Sequence, residues 1–301
     1  MNQRQIKIRA LLAEKQGILL VHYYARPEIQ EIADVLGDSL ALAQKAASSD
    51  ARVIVFAGVH FMAQSAAMLS PEKTVLLPRL DAGCPLADMA GPDAVRKMRQ
   101  THPDAVFVTY INSTAEVKAE SDICCTSSNA LKIIQTLPPA KKVVMLPDGN
   151  LARHAAAATG REIIAWEGCC PIHQALTGED VAARRREHPR AVFAAHPECR
   201  PEVLALADFV GSTSAILQFA RDTKAGEIII GTEKGILTQL IKENPEKTFI
   251  PASDALFCED MKKISLDDIE RSLTMMQPVI TVPRQVSVAA KKALDRMLAV
   301  S

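Results

Sequence analysis

Three stretches of this sequence align with one another without gaps, and the alignment decides the fold: HYYARPEIQEIADVLGDS at 22–39, YINSTAEVKAESDICCTS at 110–127 and HPECRPEVLALADFVGST at 196–213. The residues that coincide across them are Glu28, Glu116 and Glu202, then Asp34, Asp122 and Asp208, then Ser39, Ser127 and Thr213. Within each set, the second residue lies 88 residues after the first, and the third lies 86 residues after the second. Self-similarity at a fixed spacing indicates a repeated structural unit, so the chain is predicted to contain one unit three times.

Three cysteines follow the same period. Cys84 and Cys170 are 86 residues apart, and Cys170 and Cys258 are 88 residues apart. The units are therefore predicted at 12–92, 93–180 and 181–270, with one of these cysteines in each. C-terminal helices over 271–301 are expected to join the first unit.

Within each unit, short apolar runs such as GILLVHYY and ARVIVFAG alternate with helical segments. Runs that are apolar nearly end to end are typical of parallel strands covered on both faces. The alternation predicts an α/β protein with three similar three-layer α/β/α domains and short parallel sheets. We expect these domains to surround a pseudo-threefold axis, because the period is too long for a solenoid. Equivalent residues, including the three cysteines, then meet near that axis.

The composition excludes several classes of function. The 301 residues carry 35 basic and 35 acidic side chains, and only 4% are aromatic, so no basic surface for nucleic acid is expected. No membrane span is predicted, because the sequence contains no run of 18 uncharged apolar residues. The charged N-terminus resembles no signal peptide, which favours the cytoplasm. Seven cysteines without a C-x-x-C pair favour thiols, a metal or catalysis over disulfides.

Three converging thiolates bind a soft metal centre, either zinc or an iron–sulfur cluster. A 4Fe-4S cluster held by three cysteines leaves one iron open to substrate as a Lewis acid. Cys169 competes with Cys170 as the second ligand, and the repeat spacing favours Cys170. The cysteines that do not repeat are interpreted as packing thiols: Cys124, Cys125, Cys169 and Cys199.

Polar side chains follow the first predicted strand of each unit, where ligands of parallel α/β units collect. They include His22 and Tyr24, Tyr110 and Asn112, and His196 and Glu198. Ser39, Ser127 and Thr213 come 17 residues after the start of each stretch and are predicted to lie like helix N-caps, where anions bind. A small polyanionic substrate is expected. Glu28, Glu116 and Glu202 are interpreted as structural acids at helix starts.

These segments, together with AGCPLAD, WEGCCPIH and CEDMKKISL, resemble the quinolinate synthase family from about residue 17 to residue 272. The resemblance implies condensation of iminoaspartate with dihydroxyacetone phosphate to quinolinate, phosphate and water in NAD biosynthesis. It also implies one 4Fe-4S cluster per chain on Cys84, Cys170 and Cys258, with one open iron, and a supply of iminoaspartate from an aspartate oxidase or dehydrogenase.

Carried over by motif, the resemblance assigns substrate binding to His22, Ser39, Tyr110, Asn112, Ser127, His173, His196, Glu198, Ser212 and Thr213. We hypothesise that Tyr24, His196 and Glu198 share the proton transfers that this reaction requires, as general acids and bases. Some family members carry a C-x-x-C-x-x-C run that ends at the third ligand. Here Ala252 and Ala255 occupy the first two positions, so a dithiol switch is not expected.

Three other interpretations remain open from the sequence. A zinc hydrolase with a three-cysteine site predicts colourless protein with one zinc per chain. A cluster-based redox or oxygen sensor requires a partner or a nucleic-acid surface, for which the sequence has no basic patch. A triplicated α/β scaffold with inert thiols predicts no cluster and tolerance of Cys84→Ser.

Overall fold

The computed structural model describes residues 1–300, so Ser301 of the predicted C-terminal segment lies outside the described residues. The strands are β1 (Gly17–His22), β2 (Val35–Gly37), β3 (Val53–Ala57), β4 (Thr74–Leu76), β5 (Val106–Tyr110), β6 (Ile123–Cys125), β7 (Val143–Leu146), β8 (Ile163–Ala165), β9 (Val192–Ala195), β10 (Phe209–Val210), β11 (Glu227–Gly231) and β12 (Thr248–Pro251). They form three parallel four-stranded sheets with the orders β2-β1-β3-β4, β6-β5-β7-β8 and β10-β9-β11-β12. The α/β fold with three similar sheets is confirmed.

Helices flank the sheets. They are α1 (Gln3–Glu14), α2 (Pro27–Gln30), α3 (Ser39–Ser48), α4 (His60–Leu69), α5 (Pro92–Thr101), α6 (Ala115–Ala119), α7 (Ala130–Thr136), α8 (Gly149–Thr159), α9 (Pro171–Ala175), α10 (Gly178–Glu187), α11 (Pro201–Leu204), α12 (Thr213–Asp222), α13 (Leu237–Glu243), α14 (Leu266–Met275) and α15 (Arg284–Val300). Short 3₁₀ turns lie at Ala87–Met89, Lys234–Ile236 and Asp260–Lys262.

The strand register carries the sequence period into three dimensions. Leu20 lies opposite Val35, Val108 opposite Ile123 and Ala194 opposite Phe209. Both members of each pair are separated from their equivalents by 88 and 86 residues. β3 and β7 are buried along their whole length, as expected for strands covered by helices on both faces.

The coinciding aspartates explain why this register recurs. Oδ2 of Asp34 accepts a hydrogen bond from the Leu19 amide at 2.8 Å. Oδ2 of Asp122 accepts from Phe107 at 2.8 Å, and Oδ2 of Asp208 accepts from Phe193 at 2.7 Å. Each aspartate precedes the second strand of its sheet and satisfies a backbone donor of the first, so it ties the two strands together.

A further set of equivalent residues escaped the sequence analysis. Lys73, Arg161 and Lys247, which are also 88 and 86 residues apart, donate to carbonyl oxygens at the C-terminal ends of α3, α7 and α12. Cations at these ends satisfy backbone acceptors that the helix leaves unpaired. The first and third of these residues lie in the repeated PEKT motif, which was the available signal.

The two C-terminal helices are present as expected. α14 packs against α1, and α15 packs against α4, α6 and β6, so it contacts helices on both sides of residue 92. The unit boundaries at 92/93 and 180/181, and the assignment of the last helices to the first unit, stay predictions.

Candidate active site

A cavity of about 380 Å³ is lined by residues from all three predicted units. This volume is within the range of small-molecule sites. The predicted site residues that line it are His22, Tyr24, Ser39, Cys84, Tyr110, Asn112, Ser127, Cys170, His173, His196, Glu198, Thr213 and Cys258. Ser212 does not line it. The fold thus brings together residues that lie up to 236 positions apart in the sequence.

The carboxyl ends of the first strands place the polar triplets. β1 ends at His22 and β5 ends at Tyr110, while His196 follows directly after the last residue of β9. All three face the cavity, which follows from the rule that ligands of parallel sheets gather at this edge.

The helix starts differ from the prediction by one residue or more. Asp38 and Ser212 are the N-caps of α3 and α12, and their side chains accept from the amides of Ala41 and Ala215. Ser39 and Thr213 are instead the first helical residues, so the prediction that they cap was wrong. Ser127 lies in a turn before α7 rather than at its cap. The capping residues need an extended backbone to reach the third amide, which leaves the following hydroxyls free to face the cavity.

A chain of hydrogen bonds links the first unit to the second. The Tyr24 hydroxyl lies 2.8 Å from Oγ1 of Thr213 and 2.6 Å from Oγ1 of Thr232. Thr232 Oγ1 also lies 2.8 Å from Nε2 of His173. Thr232 is fully buried and was missed by the sequence analysis. It follows β11 directly, so applying the strand-end rule to the third strand of each unit would have found it.

Glu198 is a buried acidic side chain between two histidines of the site. Its Oε2 lies 2.7 Å from Nδ1 of His173 and 3.8 Å from Nδ1 of His196, and the two imidazole rings stack at 4.7 Å. Burial by itself raises the pKa of Glu198, but the electrostatic interactions with His173 and His196 and the hydrogen bonds from His173 and Tyr110 outweigh it and hold the pKa below its usual range. The carboxylate is therefore ionised at neutral pH.

Two histidines and two tyrosines that face the cavity are uncharged at neutral pH. Burial lowers the pKa of His22 to about 4 and that of His196 to about 3. Burial raises the pKa of Tyr24 and of Tyr110 well above the usual value. Loss of water disfavours the charged form of each group. These side chains can therefore donate or accept hydrogen bonds toward a bound anion without carrying a charge of their own.

Asn112 supplies an unpaired acceptor at the cavity. Its Oδ1 atom is buried without a hydrogen-bond partner among the described residues. Buried polar atoms are normally paired, because an unpaired one costs about 1–3 kcal/mol. This atom is therefore available to accept a hydrogen bond from a molecule bound in the cavity.

Cys84, Cys170 and Cys258 are half-buried thiols that face the cavity from three different loops. Loss of solvent raises the pKa of Cys84 to about 12 and raises those of the other two. Metal binding to such thiols displaces their protons. Cys169, the competing ligand, does not line the cavity, and Cys124, Cys125 and Cys199 are buried elsewhere.

A second arrangement of ligand atoms overlaps this one. The ligand atoms of Cys170, His173 and Glu198 lie within 4.8 Å of one another, close enough to hold a single ion. Among the described residues, the sulfurs of Cys84, Cys170 and Cys258 do not form such a group.

The sheets, the strand-end polar residues and the thiol-lined cavity define an enzyme built from three α/β units around one internal site. The family model described as quinolinate synthetase A protein matches residues 6–299. The chain belongs to this family.

Curated relatives match the chain over nearly its whole length. The chain is 55% identical to the quinolinate synthase of Pelobacter propionicus over 295 residues, which cover 98% of this chain and 97% of that protein. It is 53% identical to the quinolinate synthase of Geotalea uraniireducens, with 100% and 99% covered. It is 50% identical to quinolinate synthase 1 of Methanosarcina acetivorans, with 98% and 96% covered. No helix within residues 1–300 combines the length and the apolar character that a membrane crossing requires.

Proposed function

We propose that this chain condenses iminoaspartate with dihydroxyacetone phosphate to give quinolinate, phosphate and water, as a step of NAD biosynthesis. The observation that carries the proposal is the convergence of Cys84, Cys170 and Cys258 on the cavity that also holds the polar strand ends. Membership of the quinolinate synthetase A family supports it. The substrates are small polyanions, which suits a cavity of about 380 Å³.

The cofactor of this proposal is one 4Fe-4S cluster per chain, held by Cys84, Cys170 and Cys258. The donor set fits, because these thiols are free, face one cavity and come from three separate loops. Cysteine thiolates are the ligands that such clusters take. When bound, an iron without a protein ligand supplies Lewis acidity for the loss of a hydroxyl group as water.

Proton transfer is assigned to the hydrogen-bonded side chains of the cavity. Glu198 is ionised beside His173, and the chain through Thr232 ends at the Tyr24 hydroxyl. General acids and bases must lie within hydrogen-bond reach of the groups they serve. Tyr24, His196 and Glu198 therefore share the protonations and deprotonations that ring formation requires.

We assign the binding of the substrates' anionic groups to the hydroxyl side chains and to the N-terminal ends of helices. Ser39 and Thr213 open α3 and α12, where backbone amides and the positive end of the helix favour negative charge. Ser127 lies 3.2 Å from Nε2 of His196, which places it beside the acid–base group. His22, Tyr110 and Asn112 orient the bound molecule from the strand ends. Ser212 acts indirectly, by capping α12.

The surroundings of the reaction follow from its substrates. Iminoaspartate is supplied by an aspartate oxidase or dehydrogenase, and the enzyme works in the cytoplasm. Neither nucleic acid nor a membrane is a partner in this proposal.

Iron, acid-labile sulfide and product measured on one anaerobic preparation test the proposed function. We expect about four iron and four sulfide per chain, and quinolinate from iminoaspartate and dihydroxyacetone phosphate. The second candidate is a zinc hydrolase, which the tight Cys170, His173 and Glu198 group favours. One zinc per chain, with no sulfide and no quinolinate, would establish that candidate and reject the cluster enzyme.

Thr232 offers a specific test of the hydrogen-bonded chain. Thr232→Val preserves the shape of the side chain but removes the hydroxyl between Tyr24 and His173. We expect turnover to fall by up to about 100-fold, because misplacement of a catalytic group by about 1 Å has this effect. Quinolinate formation under saturating substrate gives the measurement.

The matched variant is Thr232→Ser, which retains the hydroxyl and is expected to keep most of the activity. Iron content is expected to stay at the wild-type value in both. Wild-type turnover in Thr232→Val would remove this hydroxyl from the mechanism.

A further inference from the structure

Two buried carboxyl groups lie behind two of the three cavity cysteines. Burial and the charge of Glu198 raise the pKa of one of them, Asp148, to about 8. Oδ2 of Asp148 accepts a hydrogen bond from the Cys170 amide at 3.1 Å. Oε1 of Glu233 accepts from the Cys258 amide at 3.3 Å. Both carboxylates are only 1% exposed. The proposed reaction assigns neither of them a role.

The two carboxylates occupy the same place in the fold. Asp148 is the second residue after β7, and Glu233 is the second residue after β11. β7 and β11 are equivalent strands of their sheets, because each follows the same strand in the sheet order. The cysteine loop of each unit comes after the neighbouring fourth strand. Each carboxylate therefore links the end of an inner strand to the loop that carries a thiol.

Each carboxylate is itself fixed by its second oxygen. Oδ1 of Asp148 accepts from the Leu151 amide at 2.7 Å and caps α8. Oε2 of Glu233 accepts from the Gly235 amide at 2.7 Å, and Nζ of Lys262 lies 2.9 Å and 3.0 Å from its two oxygens. A carboxylate with both oxygens engaged has little freedom to move, so it can hold the cysteine backbone in one position.

The first unit lacks this device. The second residue after β3 is Val59, whose side chain carries no hydrogen-bond acceptor. One backbone contact is shared by all three units, because the amides of His60, Gly149 and Lys234 donate to the carbonyls of Ala82, Gly168 and Leu256 at 2.7–2.9 Å. In the first unit, a carboxylate from another segment contacts the neighbouring amide instead, because Gly83 donates to Oδ1 of Asp260 at 3.2 Å. Asp148 and Glu233 differ in that each accepts from the amide of the cysteine itself.

We propose that Asp148 and Glu233 are positioning residues that hold the Cys170 and Cys258 loops ready for the iron–sulfur cluster; this inference rests on the proposed function. Some residues hydrogen-bond to a metal ligand without contacting the metal. Replacing such a residue typically lowers metal affinity or activity by about 10–100-fold. The structure predicts that both carboxylates slow the loss of iron, and that their effect is confined to their own cysteine loops.

The test is the rate of iron release to an excess of chelator from anaerobic holoenzyme, followed by absorbance. In Asp148→Asn and Glu233→Gln, an NH₂ group replaces one carboxyl oxygen. The single remaining oxygen cannot accept both from the cysteine amide and from the second amide, which belongs to Leu151 or Gly235. We expect release about tenfold faster or more than in the wild type. Asp268→Asn is the control, since Asp268 is a buried capping carboxylate of α14 that does not line the cavity. It is expected to release iron at the wild-type rate.

If the variants fail to fold, hydrogen exchange of backbone amides in the wild-type holoenzyme tests the same inference. The amides of Cys170 and Cys258 are expected to exchange slowly because a buried carboxylate accepts from each. Exchange at the rate of an unstructured peptide would overturn the inference, as would equal rates of iron release in the carboxylate variants and the wild type. A wild type that holds no iron would instead reject the proposed function, and the inference with it.

Discussion

Cys170→Ser is expected to abolish quinolinate formation and to leave iron and sulfide near background. Cys170 faces the cavity from the loop before α9, and its amide is held by Asp148. With one of three thiolates removed, the proposed cluster would keep only two protein ligands. We expect iron to fall from about four per chain to well below one. The measurement is iron and sulfide after anaerobic reconstitution, with turnover on the same samples.

The neighbouring cysteine provides the matched control. Cys169 is half-buried outside the cavity, and its amide contacts the sulfur of Met89 at 3.3 Å. Cys169→Ser is expected to retain iron and activity. The opposite result, with iron lost only in Cys169→Ser, would show that the repeat period places the ligand one residue too late. Melting temperatures of both variants report any general loss of stability.

Glu198→Gln is expected to lower turnover by about 10²–10⁴-fold while the cluster is retained. This is the usual contribution of a positioned general acid or base. The glutamine keeps the size of the side chain but removes the charge that faces His173 at 2.7 Å. Because Glu198 is ionised and buried, we expect the substitution to impair proton transfer and to disturb the orientation of both imidazole rings. Single-turnover quinolinate formation with saturating substrates measures it.

Glu202→Gln is the matched control for Glu198→Gln. Glu202 lies four residues further along the chain, is exposed, and sits in the first turn of α11. We expect wild-type turnover and iron content from this variant. Full turnover in Glu198→Gln with an intact cluster would remove Glu198 from the acid–base groups.

Much of the fold could be predicted from the sequence, because the residues that repeat along the chain make contacts within their own unit. Asp34, Asp122 and Asp208 recur because each must accept from an amide of the adjacent first strand. Such a contact spans 15 residues within one unit and repeats wherever the unit repeats. The caps of α3 and α12 were each predicted one residue too late, because Asp38 and Ser212 are also good capping residues and the sequence pattern does not rank them against their neighbours.

Most of the predicted site residues line one cavity, although Ser212 does not and Thr232 was missed, and the sequence did not show which of them pair. Strand-end polarity and the cysteine period identify which residues face a shared cavity. They do not show that Thr232 joins Tyr24 to His173, or that Asp148 holds Cys170. These contacts join separate units or separate loops, and their geometry depends on how whole sheets and helices pack.

The sequence by itself therefore determined the triplicated α/β organisation, the edge of each sheet that carries polar residues and the three cysteines that share a period. Spacing along the chain is enough for these, because parallel strands put their carboxyl ends on one edge. Only the tertiary structure decided which groups touch. Glu198 meets His173, and Thr232 meets Tyr24, because the packing of three units brings residues as far as 208 positions apart within hydrogen-bond distance.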